Sequence, residues 1–426
     1  MRPHVVIVGG GFGGLYAARA LKRAPVDVTL LDRRNFHLFQ PLLYQVATGG
    51  LSPANIAAPL RGVLKRQKNA RVLLGEALDF DVAAREVVFN GGRLAYDYLI
   101  VATGGRHHYF GHPEWETAAP GLKTIEDATE IRRRILLAFE KAELARDPDD
   151  RRSWLNFLIV GGGPTGVELA GAVAEISRDT LKEDFRAIDP TRAQIVLIEG
   201  AERILPTYPP ELSAKAQASL ERLGVAVRTN AIVTDVKPEG ISVKTKGAED
   251  HWRAHTVLWA AGVAASPLGA KLAGSAGAQM DRAGRVIVGP DLTLPGHPEI
   301  FVIGDLANFS HQTGSPLPGI APVAMQQGRY AAEAIRARLA GKTLPPFRFK
   351  DRGNMATIGR AAAVADIYGF RFSGWIAWLV WLFVHLVNLM QFNNRLLVFL
   401  QWTWNYFTRN RSARLITGED RANVPL

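Results

Sequence analysis

Two sets of glycines, each followed by an acidic residue, are the first residues whose spacing indicates chemistry. The first set fits G-x-G-x-x-G, follows the apolar run 5–8 directly, and precedes a second apolar run that ends in an aspartate. Such glycines permit a tight turn, close approach of the backbone to a pyrophosphate and close packing of a helix on a strand, while the acid binds a ribose hydroxyl. This set therefore predicts a site for a dinucleotide with an unphosphorylated ribose, such as FAD or NAD. The residues assigned to it are Gly9, Gly11, Phe12, Gly13, Gly14, Asp32 and Arg33.

The second set repeats the first about 150 residues later. Gly161, Gly163 and Gly166 follow the apolar run 157–160, and the next apolar run ends in Glu199. The interval from glycines to acid is longer here because of a polar excursion at 177–192. An acidic residue at this place favours NADH over NADPH, whose extra phosphate it would repel. The chain is therefore expected to hold two dinucleotides.

Three further places carry polar residues at strand ends or a helix start. The apolar run 98–102 ends in Thr103 and Gly104, the usual way a chain returns under a dinucleotide in flavoproteins that bind two of them. The run 300–303 leads to Asp305, which accepts hydrogen bonds either from a ribityl hydroxyl of FAD or as a helix cap. Gln326 and Gln327, at the start of a predicted helix, are either solvated positions or amides turned towards the flavin edge or a second substrate.

The elements that must position these residues form a repeated strand–helix–strand pattern. That pattern predicts an α/β fold with two Rossmann-like dinucleotide-binding domains and a C-terminal membrane-associating helical segment. A charged amphipathic helix is expected at 123–143, followed by a polar break at 145–152. The segment 33–53 is neither a clean strand nor a clean helix, and it is read either as a loop packed over the sheet or as a loop covering a bound flavin. The predicted domains are 1–120 with 290–345 for FAD, 121–289 for NADH, and 346–426 for membrane anchoring.

The composition excludes several classes of function. The 426 residues contain no cysteine, which excludes a disulfide framework, a thiolate metal site and a redox-active cysteine pair; no metal site is expected. The formal charge of +11 suits nucleic acid or an anionic membrane surface, but no nucleic-acid-binding signature is present. Because the first buried strand begins almost at Met1, we expect no signal peptide and a cytoplasmic nucleotide-binding part.

The stretch 372–394 lacks Asp, Glu, Lys and Arg and raises the question of a membrane. A helix over 374–392 would measure about 28 Å, close to the thickness of a bilayer's hydrocarbon core. Polar residues interrupt it at about one-turn spacing, tryptophans crowd one end, and a second aromatic stretch at 396–407 precedes several arginines. We therefore favour helices that lie in the membrane interface, with a single span, a buried core helix or a dimer contact as alternatives. The residues behind this preference are Trp375, Trp378, Trp381, His385, Asn388, Gln391, Arg409, Arg411 and Arg414.

With these residues in place, the chain resembles the type II NADH dehydrogenases, single-subunit flavoproteins that pass electrons from NADH to quinone without pumping protons. The likeness extends over nearly the whole chain, and its most specific parts are the loop DRRNFHLFQPLLYQVATG and the aromatic tail. It also includes VVIVGGGFGGL, VGGGPTGVELAGA, WAAGV, IGDLA and NMATIGRAAAVAD.

The resemblance implies non-covalent FAD in the first domain, NADH as substrate in the second, and C-terminal helices that frame a tunnel for a ubiquinone or menaquinone at the cytoplasmic face of the cell membrane. It implies that Glu168 lies near flavin and quinone. It also implies a motif A-Q-x-A-x-Q beside nicotinamide and quinone, which here reads 321–326 with Pro322 in place of the first glutamine. Gln326 would orient the quinone, and Gln327 is the candidate to compensate for the missing amide.

Two other functions remain compatible with the sequence. One is an NADH-dependent reductase for a small iron–sulfur or haem protein, which has no use for the aromatic tail. The other is a flavin-bearing membrane sensor with little turnover. A homodimer is compatible with all of these functions, because the tail could bury its apolar surface in a second copy of the chain.

Overall fold

The computed structural model describes residues 2–418, which form two compact units. The first unit comprises residues 2–38, 57–106 and 263–351, and the second comprises residues 39–56, 107–262 and 352–418. Each has a sheet of its own, parallel throughout in the second unit and parallel except for the edge strand Thr293–Leu294 in the first, which confirms the predicted α/β class. The division of the chain by cofactor stays a prediction, and the outermost residues of its first and last domains, 1 and 419–426, lie outside the described residues.

A six-stranded sheet forms the core of the first unit. Its central strand, His4–Val8, pairs in parallel with the strands that hold the predicted acidic residue and the predicted Ala-Thr-Gly end. Val5, Val6 and Ile7 are completely buried, as expected for a parallel strand covered on both faces. The strands in spatial order are Thr293–Leu294, His297–Val302, Tyr98–Val101, His4–Val8, Asp27–Asp32 and Ala70–Leu74.

Two helices of the first unit pack directly on each other, Phe12–Ala20 and Ala321–Leu339. A Cβ at Gly328 would collide with the Gly13 carbonyl oxygen, so this glycine permits the close approach. Pro322 lies in the first turn, where its missing N–H costs no hydrogen bond. The other helical segments are Leu60–Leu64, Leu268–Ala276 and the 3₁₀ turn Gly304–Leu306. The short strands are Phe36–Leu38, Ala57–Pro59, Ala77–Asp81, Glu86–Phe89, Gly92–Ala95, Val263–Ala265, Val286–Ile287, Ala307–Asn308 and, at the end of the unit, Gly105–His107.

The second unit repeats the arrangement with a four-stranded parallel sheet. Its strands in spatial order are Val225–Arg228, Gln194–Ile198, Asn156–Val160 and Thr256–Trp259. An antiparallel sheet of Ala231–Lys237, Gly240–Thr245 and Ala248–Arg253 accompanies it. The helices before the C-terminal part are Leu43–Ala47, Pro53–Ile56, Trp115–Ala118, Ile125–Leu144, Pro148–Trp154, Pro164–Glu175 and Pro210–Arg222, with a π-helical turn at Ile176–Thr180 and 3₁₀ turns at Gln40–Leu42 and Pro190–Arg192.

The polar break expected at 145–152 is wrong for most of its length, because a helix begins at Pro148. The Asp147 side chain accepts hydrogen bonds from the backbone amides of Asp149 and Asp150, and proline occupies the first helical position. An aspartate cap followed by proline is a helix start signal. The polarity of this stretch therefore marks the exposed first turns of a helix.

The C-terminal part of the second unit begins with an antiparallel sheet of Asn354–Gly359, Ala362–Ile367 and Phe370–Gly374. Two helices follow, Trp375–Asn388 and Phe392–Thr408. The single helix considered over 374–392 is therefore wrong. The first helix ends where the Asn388 side chain bonds back to Val384 and Leu389 turns inward in extended conformation, its carbonyl accepting from Arg395. Between residues 2 and 418, no helix combines the length and apolar character needed to cross a membrane.

Candidate dinucleotide sites and acidic cavity

The first glycine turn has the geometry of a phosphate-binding turn. Gly9 has a φ of +107°, and a Cβ on Gly14 would collide with the Gly9 carbonyl oxygen, so both positions require glycine. Gly11 differs, because a Cβ built there meets no atom of the described residues within 4 Å. This open space lies at the N-terminus of the helix Phe12–Ala20, whose first amides have no partner within the helix. The turn therefore offers donors and room for an anion.

The Asp32 side chain is hydrogen-bonded to this turn. One carboxylate oxygen accepts from the Gly10 amide and the other from the Arg34 amide. Burial raises the pKa of Asp32, and these two hydrogen bonds oppose that shift. Arg33 points its guanidinium towards Glu76, 3.9 Å away, in an exposed ion pair.

The remaining residues predicted for the first site also belong to the first unit. The Thr103 hydroxyl is buried without a hydrogen-bond partner in the described part of the chain, so it is a polar atom that a ligand would satisfy. Gly104 has a φ of +68° and accepts a hydrogen bond from Ser266. Asp305 lies in the 3₁₀ turn Gly304–Leu306. The open space at Gly11 and the orphaned Thr103 hydroxyl fit a dinucleotide such as FAD.

The second glycine turn reproduces the first in detail. Gly161 also has a φ of +107°, a Cβ on Gly166 would collide with the Gly161 carbonyl, and Gly163 again has open space beside it. Glu199 accepts from the Gly162 amide at 2.6 Å and from the Ala201 amide at 2.8 Å. The chain therefore forms two glycine turns of the same geometry, one in each unit.

A cavity of about 560 Å³ opens at this second turn. Gly161 and Glu199 line it together with the edge of the antiparallel sheet and a group of aromatic side chains. Among these, the rings of His112 and Trp115 are stacked with centroids 4.2 Å apart. An acidic residue, a glycine turn and flat aromatic walls fit the ribose, phosphate and base of NADH. The aromatic wall is formed by Phe110, His112, Trp115 and Trp259.

A smaller cavity of about 130 Å³ lies in the same unit, beside the helix Pro164–Glu175. Glu168 projects from this helix into it, opposite aromatic residues of the two C-terminal helices. The strand Asn354–Gly359 can lie against this helix because Gly171 has no side chain; a Cβ there would collide with the Ile358 carbonyl. The aromatic lining consists of Tyr44, Trp378, Trp381, Trp402 and Tyr406.

The surroundings of Glu168 favour the protonated form of its carboxyl. Burial among apolar groups raises its pKa to about 8, although the Thr357 backbone donates a hydrogen bond to it. The side chain retains some accessible surface because it faces the cavity, while protein atoms surround the rest of it. A protonated carboxylic acid facing a cavity is able to donate a proton.

Two further donors line the same cavity. The Tyr44 hydroxyl accepts from Gln45 at 2.9 Å, and Gln45 in turn accepts from the Trp402 indole at 2.7 Å, which leaves the phenolic proton of Tyr44 to donate. Burial, reinforced by Glu168 and Glu175, raises the pKa of Tyr44 well above its usual value, so the phenol stays protonated. The Trp381 indole N–H is buried without a partner in the described residues. The cavity therefore presents hydrogen-bond donors on its aromatic side.

At its polar end the cavity is lined by Arg409 and Arg411, which follow the last helix and form ion pairs there. Arg411 donates to Glu175 at 2.7 Å and to the Thr48 carbonyl at 3.1 Å, and both partners of the ion pair are largely buried. Arg409 pairs with Asp179 at 3.1 Å. These contacts fasten residues 409–411 against the end of the helix that holds Glu168. Glu175 was not predicted from the sequence, in which its signal is the interval of two helical turns from Glu168.

The two predicted glutamines belong to the first unit and are both engaged. The Gln326 amide donates to the Lys350 carbonyl and accepts from the Lys350 amide, both at 3.0 Å. Gln327 is buried, and its amide oxygen accepts from the Gly304 backbone at 2.6 Å. Their catalytic roles stay predictions.

Comparison with known proteins decides the family. Residues 3–328 match the pyridine nucleotide-disulphide oxidoreductase family, and residues 352–410 match the NDH2 C-terminal domain. The type II NADH:quinone oxidoreductase NdhA of Mycobacterium tuberculosis is 47% identical over 428 residues, covering 98% of this chain and 90% of that protein. This chain belongs to the type II NADH:quinone oxidoreductases. The resemblance found in the sequence is thereby confirmed.

Other type II NADH:quinone oxidoreductases and their relatives support this assignment. The enzyme Ndh of M. tuberculosis is 46% identical, with 98% of this chain and 91% of that protein covered. Demethylphylloquinone reductase NdbB of Synechocystis is 32% identical, with 94% and 96% covered. NDH2 of Plasmodium falciparum, solved in complex with NADH, has the same fold, with a TM-score of 0.88 at 22% identity over 98% of this chain and 100% of that one.

Proposed function

We propose that this protein is a membrane-associated flavoprotein that takes hydride from NADH onto FAD and passes two electrons to a membrane quinone without pumping protons. The observation that carries the proposal is the acidic cavity of the second unit, where Glu168 is held neutral among aromatic side chains of the C-terminal helices. Reducing a quinone to a quinol consumes two protons as well as two electrons. A chain of this family that holds a proton beside a cavity lined by aromatic side chains fits that requirement.

Each dinucleotide has its own binding residues in this proposal. The first glycine turn, with Gly11 beside the pyrophosphate and Asp32 beneath the turn, would hold FAD, and the orphaned Thr103 hydroxyl would bond to it. The second turn would hold NADH, with Gly163 beside the pyrophosphate and Glu199 at the ribose. When bound, the flavin would accept hydride from NADH and pass the two electrons on to a quinone. The protein orients both molecules and supplies the electrostatics.

Glu168 supplies one of the two protons in this mechanism, and the hydride of NADH brings the equivalent of the other. With a pKa of about 8, its carboxyl is mostly protonated at pH 7 and donates to a quinone oxygen as that oxygen gains negative charge. The Tyr44 hydroxyl and the Trp381 indole N–H line the same cavity and would hydrogen-bond to the quinone carbonyls. A role for Gln326 in orienting the quinone requires its amide to leave Lys350, whereas Gln327 holds the backbone beside Asp305.

An anaerobic experiment tests this function. The purified protein is reduced with NADH while flavin absorbance is followed, and a ubiquinone or menaquinone analogue is then added. We expect rapid bleaching of the flavin followed by rapid recovery. Bleaching that no quinone reverses would instead support a reductase for a small redox protein, and slow bleaching would support the sensor function.

We further propose that the two C-terminal helices lie in the membrane interface, at the cytoplasmic face. Both helices carry many exposed apolar side chains, while Ala377, Trp381 and Val398 are buried. An exposed apolar surface of this extent marks an interaction site, and a quinone substrate itself resides in lipid. The exposed residues are Trp375, Ile376, Leu379, Phe383, Val387, Phe392, Leu396, Leu397, Phe399, Leu400, Trp404 and Phe407.

Replacing Phe383 and Phe407 together with serine should release the protein from vesicles. Burying a phenylalanine stabilises by about 2 kcal/mol, so the partition coefficient should fall at least a hundredfold. Co-sedimentation with vesicles of phosphatidylglycerol and phosphatidylcholine measures it. The control, Leu144→Ser with Leu74→Ser, removes two equally exposed leucines elsewhere and should leave binding unchanged. If the phenylalanine variant instead splits a dimer and still binds vesicles, this face is a dimer contact.

A further inference from the structure

His37 is a buried side chain in the first unit that the proposed mechanism does not use. It has no solvent exposure, its ring meets the edge of Phe12 with centroids 4.9 Å apart, and its Nδ1 lies 3.1 Å from the Gly10 carbonyl oxygen. Because a carbonyl oxygen only accepts hydrogen bonds, Nδ1 carries the proton of the ring. Burial lowers the pKa of His37 to about 4, so the ring is neutral and holds that single proton at physiological pH.

The bond to Gly10 fixes a particular N–H group. The Gly10 carbonyl and the Gly11 amide belong to one planar peptide unit, and in a trans peptide they point in opposite directions. A donor that holds the Gly10 oxygen therefore turns the Gly11 N–H away from itself. Gly11 is the residue with open space beside it at the helix N-terminus, where a pyrophosphate approaches the backbone.

The second glycine turn shows that this restraint recurs. There the corresponding carbonyl, that of Gly162, accepts a hydrogen bond from the Leu205 backbone amide at 2.7 Å. The amide on the other side of each residue is also held in both turns, by Asp32 at Gly10 and by Glu199 at Gly162. Both turns thus hold the two peptide units that flank the corresponding glycine, Gly10 or Gly162, but only the first uses a side chain as the donor to the carbonyl.

We infer that His37 is a positioning residue for FAD, whose Nδ1–H holds the Gly10–Gly11 peptide unit so that the Gly11 amide faces the cofactor's pyrophosphate. This inference rests on the proposed placement of FAD in the first unit. His37 does not act on the reacting atoms. Its substitution therefore changes how tightly the flavin is held and leaves the chemistry of bound flavin intact.

Two amide substitutions separate the donor from the bulk of the side chain. In His37→Asn the amide nitrogen takes the place of Nδ1 and keeps the donor, whereas in His37→Gln the amide lies near the position of Nε2 and loses it. We expect His37→Gln to release FAD at least about tenfold faster than the wild-type holoenzyme, the cost of one buried hydrogen bond. His37→Asn should stay within about threefold of wild type. The measurement is the rise in flavin fluorescence after dilution of the holoenzyme.

Binding of NADH by the second unit controls for the fold, because its own turn is restrained by Leu205 and should keep its affinity in both variants. Equal release of FAD from the two variants, both folded, would overturn the inference. If His37→Gln does not fold, His37→Asn decides alone: retention of flavin supports the donor role, and tenfold faster release overturns it. A wild-type protein that binds no FAD would overturn the proposed function itself, which distinguishes that failure from one confined to His37.

Discussion

Glu168→Gln should reduce flavin with NADH at nearly the wild-type rate and pass the electrons to quinone roughly a hundredfold more slowly. The glutamine keeps the shape and hydrogen-bonding capacity of the neutral acid but has no acidic proton, and a positioned proton donor contributes about 10²–10⁴-fold to rate. Stopped-flow measurement of the two half-reactions separates the steps. Collapse of flavin reduction as well would contradict the assignment of Glu168 to the quinone step.

The pH profile gives the same residue an independent test. Glu168 donates in its protonated form, so the wild-type quinone step should slow as pH rises through about 8, and the glutamine variant should lose that dependence. Glu202→Gln, which removes an exposed carboxylate of the same unit, should retain the wild-type profile. A profile of Glu168→Gln that still falls near pH 8 would assign the titration to another group.

Stability should fall with rising pH, as activity does, but over the lower range between the unfolded and folded pKa values of Glu168. Since folding raises the pKa of Glu168 from 4.5 to about 8, the unfolded chain loses this proton first as pH rises. As pH rises from 4.5 to about 8, the free energy of unfolding of the wild type therefore falls, by about 1.4 kcal/mol per pH unit at most. Above about pH 8 this loss of stability, the penalty for burying the ionisable carboxyl, no longer grows. Glu168→Gln lacks the penalty and should be more stable than the wild type at pH 8, with little difference at pH 4.5, as measured by urea denaturation.

Gly163→Val should abolish NADH binding without unfolding the protein. The φ of Gly163 is −71° with extended ψ, which any residue adopts, and a Cβ built there meets no atom of the described residues within 4 Å, so we expect the folded chain to accommodate valine. That same space is where the pyrophosphate must approach the backbone. We expect the Kd for NADH to rise at least about a hundredfold, since steric exclusion removes the amide contacts as well. Isothermal titration calorimetry with NADH under anaerobic conditions measures it.

The first glycine turn supplies the matched control. Gly11 has a φ of −69° and the same open space, so Gly11→Val should fold, lose FAD and keep NADH affinity. Gly163→Val should conversely retain a full complement of FAD. If Gly11→Val loses NADH and Gly163→Val loses FAD, the assignment of the two cofactors to the two units is reversed.

Two glycine turns, each with an acidic strand end beside it, could be predicted from the sequence alone. In each, the turn, the helix start and the acidic strand end follow from a few adjacent residues, because glycine positions such as Gly9 and Gly14 are required by local backbone geometry. The parallel sheets follow from runs of buried apolar residues in the same way. Requirements that depend only on neighbouring residues in the chain can be recognised in the sequence itself.

Only the tertiary structure decided where the C-terminal helix breaks, that Glu168 is neutral, and how the tail is fastened. Leu389 is buried in the folded chain, and the periodicity of the sequence does not indicate that the helix must end there to bury it. The pKa of Glu168 depends on apolar groups brought in from distant parts of the chain, and Arg411 meets Glu175 across 236 residues. Desolvation and ion pairing are set by the neighbours in space, which are known only when the chain is folded.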